Sequence, residues 1–175
     1  MLKHCLILNL RDFGENSLIV IVLHPQLGKQ EYLAKGAKNI GAKLTPWLQP
    51  LCFVELELTP SKRELPTIRE VQLVKNYLPS GYLPSRLSLR ISSFLDMATY
   101  PQLECTEFMG KILALLEILT NSSISLKDLR RCWVQFELLL LHYLGVIPDL
   151  GTLPRGDINR IARYLERKIH QALRP

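Results

Sequence analysis

The sequence predicts an α+β protein, with a small β-barrel in the first half and a bundle of helices in the second. Three observations carry the prediction. Up to Lys75 the apolar residues come in short runs that alternate or are rich in β-branched side chains, bounded by Gly, Pro, Asn or Asp. Beyond Pro84 the apolar spacing changes to three and four, which lines those side chains along one face of an α-helix. Between the two lies a cluster of breakers, Pro79, Ser80, Gly81 and Pro84. The barrel is accordingly assigned to residues 1–78 and the α-helical domain to residues 79–175.

The strands follow in order. Leu6, Leu8 and Leu10 alternate with other residues, and Asp12-Phe13-Gly14-Glu15-Asn16 forms a turn. Ser17 to His24 is a β-branched apolar run, and Pro25 to Gly28 turns it into a hairpin with Lys29 to Gly36. A basic loop broken by Gly36, Gly41 and Pro46 comes next. Leu51 to Leu58 alternates cleanly, with Val54, Leu56 and Leu58 on one side and Phe53, Glu55 and Glu57 on the other. Thr67 to Lys75 is the fifth strand. Five short strands with a long third connection fit a closed barrel of the OB type. A small sandwich is the competing architecture.

The helices are equally regular. Leu87, Ile91, Phe94, Leu95 and Ala98 share one face, as do Cys105, Phe108, Ile112, Leu115, Leu116 and Leu119 in the next segment. Asn121-Ser122-Ser123 breaks that segment. Ser125 and Asp128 then have the spacing of a capping box, in which the serine oxygen accepts an orphan backbone N–H. The helix they open runs through Trp133, Phe136, Leu140 and Leu144, and Gly145 followed by Pro148 stops it. A last helix is expected from Asp157, with Ile158, Ile161, Leu165 and Ile169 facing inward.

Composition bounds the function. Apolar residues make up 47% of the 175, enough to bury a core. The longest apolar runs are too short to cross a bilayer, and Met1-Leu2-Lys3-His4-Cys5 does not read as a signal peptide, so the expected compartment is the cytoplasm. Cys5, Cys52, Cys105 and Cys132 form no close pair of the kind a zinc site uses, and buried thiols are the expectation. The net charge of +6 suits a polyanionic partner. It is concentrated in two blocks: Lys29 to Lys43 carries four lysines against one glutamate, and Arg155 to Arg174 carries six basic residues against Asp157 and Glu166.

No residue pattern asks for catalysis. The four histidines are scattered, and no phosphate-cradling glycine motif is present. Glu55 and Glu57 share a strand face, so a carboxylate pair is geometrically possible, although a solvated strand face is the simpler reading; a hydrolytic reading rests only on dispersed carboxylates and histidines. The basic loop is the stronger lead. Lys35, Lys38 and Lys43 beside Gly36 and Gly41 could neutralise phosphates, with Tyr32 and Trp47 as candidates to stack bases. Arg160, Arg163 and Arg167 have the spacing to share a helix face and form a second basic candidate. The apolar segment Phe108 to Leu119 offers more surface than one stripe needs, which leaves room for a groove that takes a partner peptide.

In this order the motifs resemble the RecO family of DNA repair and recombination mediators. Arg11-Asp12-Phe13-Gly14-Glu15-Asn16-Ser17 looks like that family's first hairpin, and His24-Pro25-Gln26-Leu27-Gly28-Lys29 its second turn. Ala34-Lys35-Gly36-Ala37-Lys38 is similar to its lysine-glycine-alanine signature. Leu48-Gln49-Pro50 and Val54-Glu55-Leu56-Glu57-Leu58 follow, and Phe136-Glu137-Leu138 through Gly145-Val146 resembles the end of its central bundle. The resemblance implies an N-terminal OB fold and a helical domain. It also implies binding of single- and double-stranded DNA, strand annealing and help in loading RecA, without catalysis or a nucleotide; no cofactor or metal is expected for this chain. The implied partners are RecR and the C-terminal tail of single-strand-binding protein. It places DNA contacts at Arg11, Lys29, Lys35, Lys38 and the adjoining Lys43. It places the tail pocket near Phe108, Leu115 and Leu138. The zinc-ribbon-like module that many relatives carry after the bundle is not recognisable; only a short Pro/Gly-containing stretch separates Gly145 from the terminal helix. That departure motivates the alternative, a protein-interaction adaptor that kept the fold and lost productive DNA binding.

Overall fold

The computed structural model describes residues 2–41, 45–59, 65–146 and Arg167. Five strands close into a barrel: β1 (Leu2–Phe13), β2 (Ser17–His24), β3 (Gly28–Ala34), β4 (Cys52–Thr59) and β5 (Thr67–Asn76). Round the barrel the order is β1-β2-β3-β5-β4, and β4 pairs back onto β1. All pairings are antiparallel except β3 with β5, which meet in a parallel bridge at Leu33 and Thr67. This is the OB-type barrel and not the sandwich. Among the residues described up to 146, three helices follow: α1 (Tyr82–Ala98), α2 (Thr106–Leu119) and α3 (Leu126–Tyr143). Among the described residues no helix is long and apolar enough to cross a membrane.

Two buried clusters account for the architecture. Cys5, Ile7, Val20, Val22, Tyr32, Val54 and Leu56 fill the barrel. Leu6, Leu8, Ile21 and Leu23 leave the opposite faces of β1 and β2 and join Ile91, Ile112, Leu116 and Phe136 of the helices. The β1–β2 wall is therefore buried on both sides, which is why Cys5 to Leu8 are all inaccessible. A bulge at Leu8 shifts the register between Ile7 and Asn9, so Leu10 packs with the barrel interior although Leu6 and Leu8 face the helices. The simple alternation of Leu6, Leu8 and Leu10 does not hold across that point.

Ser125 caps α3 as its spacing predicts, its Oγ accepting the Asp128 N–H at 3.2 Å. At the other end Gly145 takes φ +70°, the Val146 N–H reaches the Leu141 carbonyl and the Gly145 N–H reaches that of His142. That is the Schellman arrangement, which satisfies the last carbonyls. The expected helix from Asp157 lies outside the described residues.

The barrel and helices are joined through the β2–β3 turn. The Gln102 N–H donates to the Leu27 carbonyl at 2.8 Å, Cys105 N–H to Pro25 at 2.7 Å and Lys29 N–H to Tyr100 at 3.1 Å. Ser92 Oγ donates to the Leu8 carbonyl at 2.7 Å, and Asn9 Nδ2 to Asp96 Oδ2 at 2.9 Å. Inside the turn, His24 Nδ1 accepts the N–H groups of Gln26 and Leu27, each at 3.2 Å. Burial, with Lys3 and then His4 nearby, holds the His24 pKa below its ordinary 6.5. Above 6.5 the imidazole is neutral in both states. As the pH falls through 6.5 the unfolded chain takes the proton first, so stability is lost down towards the folded pKa. Denaturation midpoints are expected to fall between about pH 7.5 and about pH 5.5, and to fall less in His24→Asn, which keeps a short acceptor without titrating. The same pH dependence in both chains would contradict this role.

Candidate nucleic-acid interface

The basic loop leaves the barrel at the end of β3 and is pinned before it presents its charges. Ala34 and Ala37 are buried in the barrel cluster. The Gly36 N–H donates to Ser17 Oγ at 3.3 Å, the Lys38 N–H to the Asn16 carbonyl at 3.0 Å and the Asn39 N–H to the Gly36 carbonyl at 3.1 Å. The small alanines let the chain hug the rim, and the loop is stitched to the β1–β2 turn. Lys35 stands exposed between the two anchors and makes no ion pair among the described residues.

Among the described residues, the other barrel cations expected at the DNA hold carboxylates. Lys38 Nζ lies 2.7 Å from Asp12 Oδ1, and Arg11 pairs with Glu31. Both pairs are solvent-accessible, with Asp12 76% exposed. Exposed pairs are worth only about 0–1 kcal/mol, so a phosphodiester can displace the carboxylates. Lys29 is placed differently: its ammonium donates to the Asp96 carbonyl at 2.6 Å and lies 3.6 Å from the Asp96 carboxylate. Its charge serves the junction between barrel and helices.

Tyr32 is 2% exposed and fills the barrel, so it cannot stack a base. Trp47, in a short 3-10 turn, is 41% exposed. Sequence reading overlooked Phe13, which is 51% exposed at the end of β1, one residue from the Asp12 that holds Lys38. Its signal was an apolar aromatic inside a polar turn. Lys35, Lys38, Arg11 and Phe13 thus belong to one end of the barrel, joined by the β1–β2 turn. Lys43, Arg160 and Arg163 lie outside the described residues; Arg167 is helical and exposed.

On the outer face of β4 the two glutamates each have a partner on a neighbouring strand. Glu55 lies 3.4 Å from His4 Nε2, and Glu57 3.3 Å from Arg69. The four cysteines are buried and unpaired. Burial pushes the Cys5 thiol up to about 12 and that of Cys105 up to about 11, so both stay protonated at neutral pH.

In the helical domain, Leu115 and Leu138 line one groove of about 320 Å³ between α2 and α3, together with Ile118 and Leu139. Phe108 lines an adjoining cavity of about 350 Å³ and stacks on Tyr143, with ring centroids 4.2 Å apart. Lys111 and Leu139 border both. The three predicted pocket residues therefore occupy neighbouring sites and not one.

Comparison with known proteins gives a family match over the barrel. Residues 1–77 match the family described as recombination protein O N terminal. The chain is 27% identical over 171 residues to DNA repair protein RecO of Vibrio cholerae, covering 95% of this chain and 69% of that protein. It is 28% identical over 167 residues to DNA repair protein RecO of Leuconostoc mesenteroides, covering 93% and 63%. A third similar protein, DNA repair protein RecO of Photobacterium profundum, is 29% identical over 151 residues.

Proposed function

We propose, on the match of residues 1–77 to the recombination protein O N-terminal family, that the chain is a DNA-binding repair and recombination mediator. It works in the cytoplasm, binds and anneals single-stranded DNA, and helps load RecA onto strands coated by single-strand-binding protein, with RecR as a further partner. It does so by binding, without a catalytic step. The observation that carries this reading is the pinned loop Ala34 to Lys38, which offers Lys35 and Lys38 at the same barrel end as Arg11 and exposed Phe13. Lysines neutralise phosphates and release counterions, while an aromatic ring stacks bases of any sequence.

The test is fluorescence anisotropy with a labelled single strand, joined to an annealing assay with its complement. Binding that weakens steeply as salt rises, together with faster annealing, is expected. No binding at low salt would sink the reading.

One observation favours the adaptor instead: Arg11, Lys29 and Lys38 each hold a carboxylate, while the α2–α3 groove stands open. Capture of the acidic tail of single-strand-binding protein, without oligonucleotide binding, would decide for it.

A further inference from the structure

The helical domain carries a second basic surface, on α1 and the first two turns of α3. Over Tyr82–Phe94 of α1 and Leu126–Trp133 of α3 there are five cations, Arg86, Arg90, Lys127, Arg130 and Arg131, against one carboxylate, Asp128. That carboxylate is already engaged by Ser125 Oγ at 2.6 Å and by Arg131 at 3.6 Å. All five cations are exposed. Lys127 and Arg130 make no ion pair among the described residues.

Aromatic rings bind the two helices into one face. The Arg90 guanidinium lies over the Trp133 ring at 4.4 Å and near Phe94 at 5.7 Å, and Phe94 meets Trp133 and Phe136. Arg90 thus meets Trp133, while Phe94, one turn later, also reaches Phe136. Arg86 lies one turn before Arg90 on α1, and Arg130 and Lys127 lie about one and two turns before Trp133 on α3. Arg86 donates to the Tyr82 hydroxyl at 3.2 Å, and Tyr82 is 73% exposed. Leu89 and Met97 are also exposed along α1. Arg, Tyr and Met on one open face have the composition of an interaction surface.

We infer that this α1–α3 face is a second phosphate-binding surface, which holds the backbone of a nucleic-acid strand. The inference rests on the DNA-binding reading and extends it from the barrel to the helices. Charge complementarity selects the occupant. Arg86 and Arg90 on α1, and Lys127 and Arg130 on α3, are each spaced about one helical turn, or about 5.4 Å, along their helix, which suits a polymer with a charge on every repeat. The guanidinium held on Trp133 keeps its direction, and Tyr82 offers a ring to an unstacked base.

The test replaces exposed cations that do not pack in the core. A triple variant, Arg86→Gln, Lys127→Gln and Arg130→Gln, is compared with the unmodified chain by single-strand anisotropy across a salt series. Three lost contacts should flatten the slope of log affinity against log salt by about 2, at about 0.7 per phosphate contact. The charge-retaining pair Arg86→Lys and Arg130→Lys should keep the original slope. If the unmodified chain binds and the triple variant binds with the same slope, this surface is not a strand contact, while the barrel reading stands. If the lysine pair loses affinity as the triple variant does, charge is not the cause and the inference fails. If the triple variant loses an aspartate-rich peptide but keeps the oligonucleotide, the face belongs to a protein partner and the inference is overturned. If the unmodified chain binds no oligonucleotide, the proposed function falls and takes this extension with it.

Discussion

Gly28→Ala is expected to destabilise the chain by more than about 3 kcal/mol, because it combines left-handed backbone strain with a clash that has nowhere to go. Gly28 sits at φ +65°, and a Cβ there would lie 2.3 Å from the Tyr100 carbonyl oxygen and 2.7 Å from that of Leu103. Both are backbone atoms of the segment that joins α1 to α2. They cannot step aside without breaking the bonds from Lys29 N–H to Tyr100 and from Gln102 N–H to Leu27. The control is Gly14, at φ +62° with no atom within 4 Å of its Cβ position. Gly14→Ala meets only the backbone cost, about 1–2 kcal/mol. Urea denaturation of the two variants separates the effects. Equal losses would mean that the β2–β3 turn does not dock as described.

Phe136→Ala is expected to cost roughly 3–5 kcal/mol, the range for emptying a buried aromatic site. Phe136 is fully buried, with its ring centroid 5.5 Å from that of Trp133 and 6.2 Å from that of Phe94. Its cluster also holds Leu6, Leu8, Ile21 and Leu23 on the outer wall of the barrel. The loss should therefore reach the strands, and near- and far-ultraviolet signals should lose their midpoints together. A barrel signal that keeps its midpoint while the helices melt early would show that the shared wall is not a shared core.

Much of this fold was legible because its periods are clean. The run Ser17 to His24 became β2 without a change of boundary, and Leu51 to Leu58 became β4 displaced by one residue. Ser125 and Gly145 marked the ends of α3 through backbone chemistry that is local to them. What the periods could not show was tertiary. Alternation marks one buried face, so the double burial of β1 and the bulge at Leu8 left no trace in it. Tyr32 lies opposite Val20 in register and turns inward with it, which an aromatic on a strand does not announce. Lys29 reads as one more lysine of a basic block, and only the fold brings Asp96 to it. The loop itself was readable as charge. The Ala34 and Ala37 anchors that make it a presented rim were not.

The central claim is that this rim holds phosphates, and the double substitution Lys35→Ala, Lys38→Ala tests it most directly. Removing Lys38 leaves Asp12 in open water, so the variant should keep its stability. Single-strand anisotropy across a salt series should then show weaker binding for every sequence, with a slope flatter by about 1.4 for the two lost contacts. An unchanged affinity and an unchanged slope would contradict the account and move the DNA site off the barrel.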